Sequence, residues 1–376
     1  MVDYNDKTVY LGIDVHKKTY AVTAVCEGQV VKKDTLKAEA SFFVSYCKKY
    51  FPGAKIETAY EAGFSGFHLH RYLEEHGIKN LIVHAAGIEI ASGNRIKTDK
   101  RDSLRLATQL SVGRLKGIFV PSKEREDART VTRLRESLVR KRSSIGAQLK
   151  ALLFQQGLIP YNSEQRVSPK WVRSLADKTF APGLQFAIHQ YANMWLGLDE
   201  QIDEIGKQMA CQAQQEGPLE MLYRSVPGIG PIAARTLANE LGDMSQFKNE
   251  RQIFSYTGLT PSEHSSGEHI RQGHISRQGK PLLRRILVQS AWIAIRVDRN
   301  LAQIFDRISA KAGSKKAIVA VARHLVGKIR ACVRTGSLYI SLSKTEEKRG
   351  SETSPVPSLL GQLGKASDCA LRAQVG

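Results

Sequence analysis

The N-terminal part of the chain begins with three short stretches rich in β-branched residues: TVYLGIDV at 8–15, YAVTAV at 20–25 and GQVVKKDTL at 28–36. Short polar turns separate them, so the pattern predicts an antiparallel meander of three strands. Further along, residues 38–51 and 64–77 carry apolar side chains at helical spacing, whereas KIETAYEA (55–62) and NLIVHAA (80–86) have strand character. Residues 1–120 are therefore predicted to form an α/β domain.

The order of these elements is three strands, then helix, strand, helix and strand. This order resembles the RNase H and RuvC-like fold more than a doubly wound nucleotide-binding fold. The chain also lacks the GxGxxG turn that a dinucleotide-binding fold would carry. We therefore expect a RuvC/RNase H-like N-terminal domain.

Strand signals end near residue 121. Two long stretches with apolar residues at helical intervals, 122–157 and 186–214, predict a pair of antiparallel helices within 121–223. Such a pair serves either as a coiled-coil spacer and dimerisation arm or as an ordinary packed bundle. Residues 224–342 are predicted to form a mainly helical C-terminal domain, and the Ser- and Pro-rich tail at 343–376 to be disordered. The predicted fold class is thus α/β plus all-α.

Charge is the unusual feature of the composition. The 376 residues include 56 Lys plus Arg against 36 Asp plus Glu, a formal net charge of +20. Two stretches concentrate the excess, with 16 basic against six acidic residues at 95–150 and 14 against three at 268–330. Such an excess predicts a polyanionic partner, and binding that weakens steeply as salt rises.

No apolar run approaches the roughly 20 residues that span a bilayer, which leaves nucleic acid as the preferred partner over a membrane. The first residues do not form a secretory signal, and the five widely separated cysteines indicate neither a disulfide framework nor a zinc site. We expect a bacterial cytoplasmic, nucleoid-associated protein.

Four acidic residues stand at positions suited to one site. Asp14 ends the first strand pattern and Glu61 ends a later one, while Asp99 and Asp102 are three residues apart on one face of a helix. Each could instead be a surface residue, and Asp99 could simply begin its helix. If the four converge, their mutual repulsion requires a hard divalent cation, with Mg²⁺ expected and Mn²⁺ the alternative. Two such ions about 4 Å apart catalyse phosphoryl transfer.

The motifs LGIDVHKKT, AYEAG and KTDKRDS, followed by SVPGIGPIAARTLANELGD and FSYTGLTPSEHSSG, resemble those of the DEDD transposases of the insertion sequence one-ten family. The resemblance covers about residues 8–342. It implies a magnesium-binding RuvC-like domain with Asp14, Glu61, Asp99 and Asp102, a coiled-coil middle, and a C-terminal domain with a nucleophilic serine. By position that serine is Ser266, with Ser265 as the neighbouring alternative. The resemblance also implies donor and target DNA as substrates, and a noncoding bridge RNA as guide.

The third domain carries two further candidate features. Gly228 and Gly230 lie in a Gly-x-Gly turn typical of a helix-hairpin-helix, whose backbone N–H groups can approach a phosphate; a plain turn with glycine for steric reasons is the alternative. A serine nucleophile needs a base and a phosphate-binding environment. The nearby candidates for these roles are the bases His264, His269 and His274 and the phosphate-binding residues Arg271, Arg277, Arg284 and Arg285.

Three functions fit these observations. The first is a transposase or site-specific recombinase, a homo-oligomer (dimer or tetramer) that assembles one composite site from two protomers. The second is a Holliday-junction-type, structure-selective endonuclease in which water attacks and Ser266 is structural. The third is a nucleic-acid-binding protein without chemistry, which the complete set of acids disfavours.

Overall fold

The computed structural model describes residues 3–89, 98–160, 162, 164–215, 218–263 and 272–340. The chain divides into two compact units, 1–121 and 122–376. The predicted tail at 343–376 lies outside the described residues, and the predicted boundary near 223 stays a prediction.

The first unit is built on a five-stranded mixed sheet in the order β3-β2-β1-β4-β5. β1 pairs antiparallel with β2 and β2 with β3, whereas β4 and β5 add in parallel. The elements are β1 Thr8–Val15, β2 Thr19–Cys26, β3 Gln29–Lys37, α1 Ala40–Tyr50, β4 Lys55–Glu61, α2 His68–Glu75, β5 Lys79–Val83, a 3₁₀ turn at Ala85–Gly87, and α3 Asp99–Ser111. The predicted mixed α/β architecture is confirmed, and its order agrees with a RuvC-like N-terminal domain.

Helices cover both faces of this sheet. On one face, Leu11 and Ile13 of β1 pack with Phe43 of α1 and Leu73 of α2, all fully buried. On the other face, Ala59 and Val83 pack against Leu106 and Leu110 of α3. Strands that are buried on both faces are typical of α/β folds with parallel pairing.

Helix α3 lies directly on the backbone of β1. A Cβ atom built on Gly12 would stand 2.0 Å from the carbonyl oxygen of Ser103 and 2.4 Å from the amide nitrogen of Ala107, so only glycine fits there. The hydroxyl groups of Ser103 and Thr23 form a buried hydrogen bond of 2.9 Å beside this contact. Together these contacts fix the position of α3 over the sheet.

The second unit is mainly helical. Its elements are α4 Lys123–Gln155, α5 Pro169–Ser174, α6 Pro182–Gln215, α7 Leu219–Ser225, α8 Pro231–Leu241, α9 Glu250–Thr257, β6 Pro261–Glu263, β7 Gln272–Ile275, α10 Pro281–Val297, α11 Arg299–Ala312 and α12 Ser314–Thr335. Helices α7 to α12 surround one apolar core. Within the described residues the predominantly helical C-terminal half is thus confirmed.

The two long helices α4 and α6 pack against each other in opposite directions. Arg142 of α4 pairs with Asp199 of α6. One turn later in α4, Gly146 lies next to Trp195, which comes one turn earlier in α6. Val172, from α5, joins the core of this helix pair, so its end is a packed bundle of three helices.

The sequence of 258–279 (GLTPSEHSSGEHIRQGHISRQG) predicts a loop, but the described residues of this segment include a small sheet. β6 pairs antiparallel with β7, with Glu263 opposite Gln272. Strands of three and four residues are too short to show an alternation that sequence patterns can detect. The prediction of a loop before α10 was therefore wrong for the residues of β6 and β7.

None of the helices in the described part of the chain combines the length and the apolar character needed to cross a bilayer. Four cysteines in that part, Cys26, Cys47, Cys211 and Cys332, are free thiols.

Candidate active site

Two of the four predicted acids lie at the carboxyl ends of neighbouring parallel strands. Ile13 of β1 pairs with Tyr60 of β4, and the next residue of each strand is Asp14 and Glu61 respectively. The Asp14 side chain is 22% exposed, whereas Glu61 is an exposed residue. Parallel pairing thus brings these two acids to one edge of the sheet.

The other two acids occupy the first turn of α3. Asp99 is the first helical residue after Thr98, whose side chain makes no capping hydrogen bond. An acidic residue in the first turn is favoured by the helix dipole, so Asp99 has an ordinary structural reason to be there. Asp102 forms an ion pair of 3.0 Å with Arg105, one turn further along.

His16 lies between one acid of each pair. Its Nε2 atom lies 3.2 Å from an Asp14 carboxylate oxygen and 3.1 Å from an Asp99 carboxylate oxygen. Potential ligand atoms of these three residues all lie within 4.8 Å of one another. Glu61 and Asp102 are outside this group of three, although Asp102 is near enough to Asp14 to affect its titration.

His16 was not among the residues predicted from the sequence. It stands two residues after Asp14 in LGIDVHKKT, and strand alternation places residues 14 and 16 on the same side of the chain. That spacing was the available signal.

The electrostatics of the site oppose ionisation of Asp14. Burial raises the pKa of its carboxyl group above the usual value, and the nearby carboxylates of Asp99 and Asp102 raise this pKa further, while the His16 imidazole lowers it. A carboxylate held among other carboxylates is stabilised by a cation. Two carboxylates and one imidazole within a few ångströms are a donor set that fits a divalent metal ion.

The predicted residues of the C-terminal half are only partly described. Ser265, Ser266, His264, His269 and Arg271 lie outside the described residues. His274 lies in β7, where its carbonyl oxygen accepts a hydrogen bond from the Ser262 hydroxyl.

Three of the four predicted phosphate-binding arginines are described. Arg277 has the left-handed backbone conformation, with φ 55°, which is uncommon for a residue other than glycine. The Arg284 guanidinium donates hydrogen bonds to the carbonyl oxygens of Thr257 and Arg277, and Arg285 pairs with Glu136 of α4. These contacts occupy part of the hydrogen-bonding capacity of the Arg284 and Arg285 guanidinium groups. The phosphate-binding role of all three arginines stays a prediction.

The two glycines of the predicted phosphate-binding turn differ in their surroundings. Gly228 has φ 81°, and a Cβ there would lie 2.1 Å from the Ser290 carbonyl oxygen of α10. Gly230 precedes α8 and has open space around it. Packing against α10 therefore explains Gly228 without a phosphate, and only Gly230 has room for a ligand beside its Cα.

Comparison with known proteins gives consistent results for both halves. Residues 11–156 match the family DEDD_Tnp_IS110, described as "Transposase", and residues 221–306 match the "Transposase IS116/IS110/IS902 family".

Several relatives align over most of their length. "Putative transposase y4qE" of Sinorhizobium fredii is 28% identical over 368 residues, which cover 89% of this chain and 90% of the relative. "Putative transposase y4rJ" of the same organism is 30% identical over 319 residues, covering 77% and 78%. "Transposase for insertion sequence element IS1111A" of Coxiella burnetii is 23% identical over 293 residues, covering 77% and 79%.

The family matches include the segments that carry Asp14, Glu61, Asp99 and Asp102 in the first half and the Gly228 turn in the second. Two relatives named as putative transposases each align with both halves of the chain in a single alignment. The chain belongs to the IS110 family of DEDD transposases.

Proposed function

We propose that this transposase cuts and rejoins the DNA of an insertion sequence by phosphoryl transfer, with the acids of the first unit holding a divalent cation and Ser266 acting as the nucleophile. The observation that carries the proposal is the convergence of Asp14 and Asp99, from different elements, on one imidazole nitrogen. The helix dipole explains an acid in the first turn of α3, but it does not explain why Asp99 approaches the same imidazole as Asp14.

Asp14 and Asp99 would bind the cation directly, and Glu61 and Asp102 would lie beside it. A bound Mg²⁺ or Mn²⁺ supplies positive charge that stabilises a phosphate during in-line displacement. The chain's own contribution is to fix the acids: α3 is held on β1 through Gly12, and Arg105 fixes the Asp102 carboxylate. Holding the acids in place before DNA arrives lowers the cost of organising them in the transition state.

In the proposed covalent step, the Ser266 oxygen forms a bond to phosphorus as one phosphorus–oxygen bond of the DNA backbone breaks. The serine proton passes to a base, for which His264, His269 and His274 are the candidates, and the departing DNA oxygen takes up a proton. Attack by a DNA hydroxyl on the phosphoserine reverses these changes and releases the serine. One phosphate ester bond replaces another throughout, so rejoining needs no external energy source.

The partners in the proposal are donor DNA, target DNA and a noncoding bridge RNA, bound by a homo-oligomer. The segment 268–330 has 14 basic and three acidic residues, which supports nucleic-acid binding near the proposed nucleophile. The helix-hairpin-helix contact is proposed at Gly230, where the N-terminus of α8 can accept a phosphate.

Strand cleavage of labelled donor DNA in the presence of Mg²⁺ tests the proposal. Asp14→Asn and Asp99→Asn each remove a charge from the acidic site, and we expect each to lower the cleavage rate by at least about 100-fold. Asp177→Asn, at an exposed position of the second unit, is the matched control and should leave the rate unchanged. Wild-type cleavage by both site variants would exclude the acidic site. Cleavage that persists in Ser266→Ala would instead indicate a nuclease that uses water.

A further inference from the structure

We propose that His16 is itself a ligand of the cation, and that it gives the site a preference for a divalent first-row transition ion over Mg²⁺. The inference rests on the proposed function, because it assumes a cation between Asp14 and Asp99. It goes beyond the four acids, because it assigns a role in cation binding to the imidazole that stands between two of the carboxylates.

The distances fit a ligand set. Oxygen and nitrogen ligands bind small divalent ions at about 2.1 Å, so neighbouring ligand atoms of an octahedral ion are roughly 3.0 Å apart and opposite ones roughly 4.2 Å. His16 Nε2 lies 3.2 Å and 3.1 Å from the two carboxylate oxygens. All the potential ligand atoms fall within 4.8 Å. One ion can therefore contact the three residues with only small adjustments.

The hydrogen bonding of His16 supports a ligand role more than a simple ion pair. Its Nε2 atom is buried and close to both carboxylates, but the direction from the ring nitrogen to each oxygen is poor for a hydrogen bond. Neither carboxylate oxygen therefore lies along the direction in which the ring nitrogen would form a good hydrogen bond. A buried ring nitrogen whose neighbours are poorly directed is incompletely satisfied, and coordination to a cation would satisfy it.

The backbone holds His16 in place. Its amide donates a 2.9 Å hydrogen bond to the carbonyl oxygen of Thr19, in the turn that joins β1 to β2. The side chain therefore projects from the end of a central strand, two residues beyond Asp14. With the backbone fixed in this way, only the side-chain torsions of His16 have to be ordered when the cation binds.

The identity of the ligand atom sets the expected selectivity. Mg²⁺ prefers oxygen ligands and retains water, whereas imidazole nitrogen suits transition ions. An all-carboxylate site would have a weaker bias of this kind. Replacing one oxygen by the His16 nitrogen should shift the preference toward Mn²⁺ and the ions above it in the Irving–Williams series.

The test uses Mn²⁺ as the probe with the full-length chain and no DNA. Pulsed electron paramagnetic resonance of bound Mn²⁺ detects a directly coordinated nitrogen nucleus. We expect nitrogen coupling in the wild type and in His189→Ala, which removes an exposed histidine of the second unit, and loss of that coupling in His16→Ala and His16→Gln. Mn²⁺ affinity should fall at least about tenfold in both His16 variants. Loss of a residue that only hydrogen-bonds to a metal ligand already lowers metal affinity by about this factor. Mg²⁺ affinity should fall much less.

The other outcomes separate the two proposals. Binding of Mn²⁺ that requires Asp14 but shows no nitrogen coupling would overturn the His16 proposal and leave the acidic site intact. Tighter Mg²⁺ and Mn²⁺ binding in His16→Ala would also overturn it, because it would identify the imidazole as a counter-ion that competes with the cation. Equal Mn²⁺ binding by wild type and Asp14→Asn would refute the acidic cation site itself.

Discussion

Substituting Gly12 with alanine probes the contact that places two of the acids over the sheet. The added Cβ would lie 2.0 Å from the Ser103 carbonyl oxygen, whereas ordinary contacts begin at roughly 3.4 Å. Because the nearest atoms belong to the backbone of α3, no side-chain rotation can relieve the overlap. Helix α3 must retreat by about 1.4 Å, carrying Asp99 and Asp102 with it.

Two effects of different size should follow. Overpacking of this kind costs about 1–3 kcal/mol, which urea denaturation of the chain would measure. Misplacement of catalytic groups by about 1 Å can cost 100-fold in rate. We therefore expect Gly12→Ala to remain folded but to cleave donor DNA about 100-fold more slowly than the wild type, with weaker cation binding.

Gly87→Ala is the matched control, because Gly87 lies in the same unit with open space around its Cα. It should change neither stability nor rate. Wild-type stability and cleavage in Gly12→Ala would show that α3 is not held against β1 as described.

Three further predictions concern stability and reactivity. Because burial raises the pKa of Asp14 in the folded chain, stability without cation falls as pH rises from the ordinary value near 3.8 through the raised one. Asp14→Asn should therefore be more stable than the wild type in EDTA at neutral pH, with the difference vanishing as the pH falls toward 3.8 in urea titrations. Glu240→Gln should cost about 3–5 kcal/mol in the same assay, because the 3%-exposed carboxylate compensates the buried Arg129. Burial raises the pKa of the Cys47 thiol to about 12, so iodoacetamide should label exposed Cys211 and spare Cys47, as judged by peptide mass spectrometry.

Each of these has a clear contrary result. A pH-independent difference between wild type and Asp14→Asn would show that desolvation of the carboxylate is not the cause. Lys37→Ala, which breaks an exposed ion pair with Glu39, should cost less than about 1 kcal/mol, and a Glu240→Gln effect no larger than this would contradict the buried network. Labelling of Cys47 in the native chain as fast as that of Cys211 would contradict its burial.

The sheet of the first unit could be predicted because its strands alternate and end in polar turns. Asp14 and Glu61 could be placed together for the same reason, since parallel strands end at one edge of a sheet. Asp99 and Asp102 needed only the helical period. Strand alternation, polar turns and the helical period are local signals, because each can be recognised within a few consecutive residues.

What the sequence could not predict depends on contacts between distant segments. The role of Gly12 requires the backbone of Ser103, about ninety positions away, and that of Gly228 requires Ser290. His16 could have been suspected from its spacing to Asp14, but its position beside Asp99 requires the packing of α3 on β1. Arg285 was expected to face a phosphate, and its ion pair with Glu136 has no local signature.

In the proposed reaction, Ser266 forms a covalent link to DNA, and the acids of the first unit are required. The most direct measurement incubates the full-length chain with RNA from the flanking element, Mg²⁺ or Mn²⁺, and labelled donor and target DNA. The denatured products are then digested and mapped by mass spectrometry. We expect a nucleotide on Ser266 that is absent in Ser266→Ala and in Asp14→Asn and retained in Ser265→Ala. Strand cleavage without any protein–DNA adduct, or an adduct on a different residue, would contradict it.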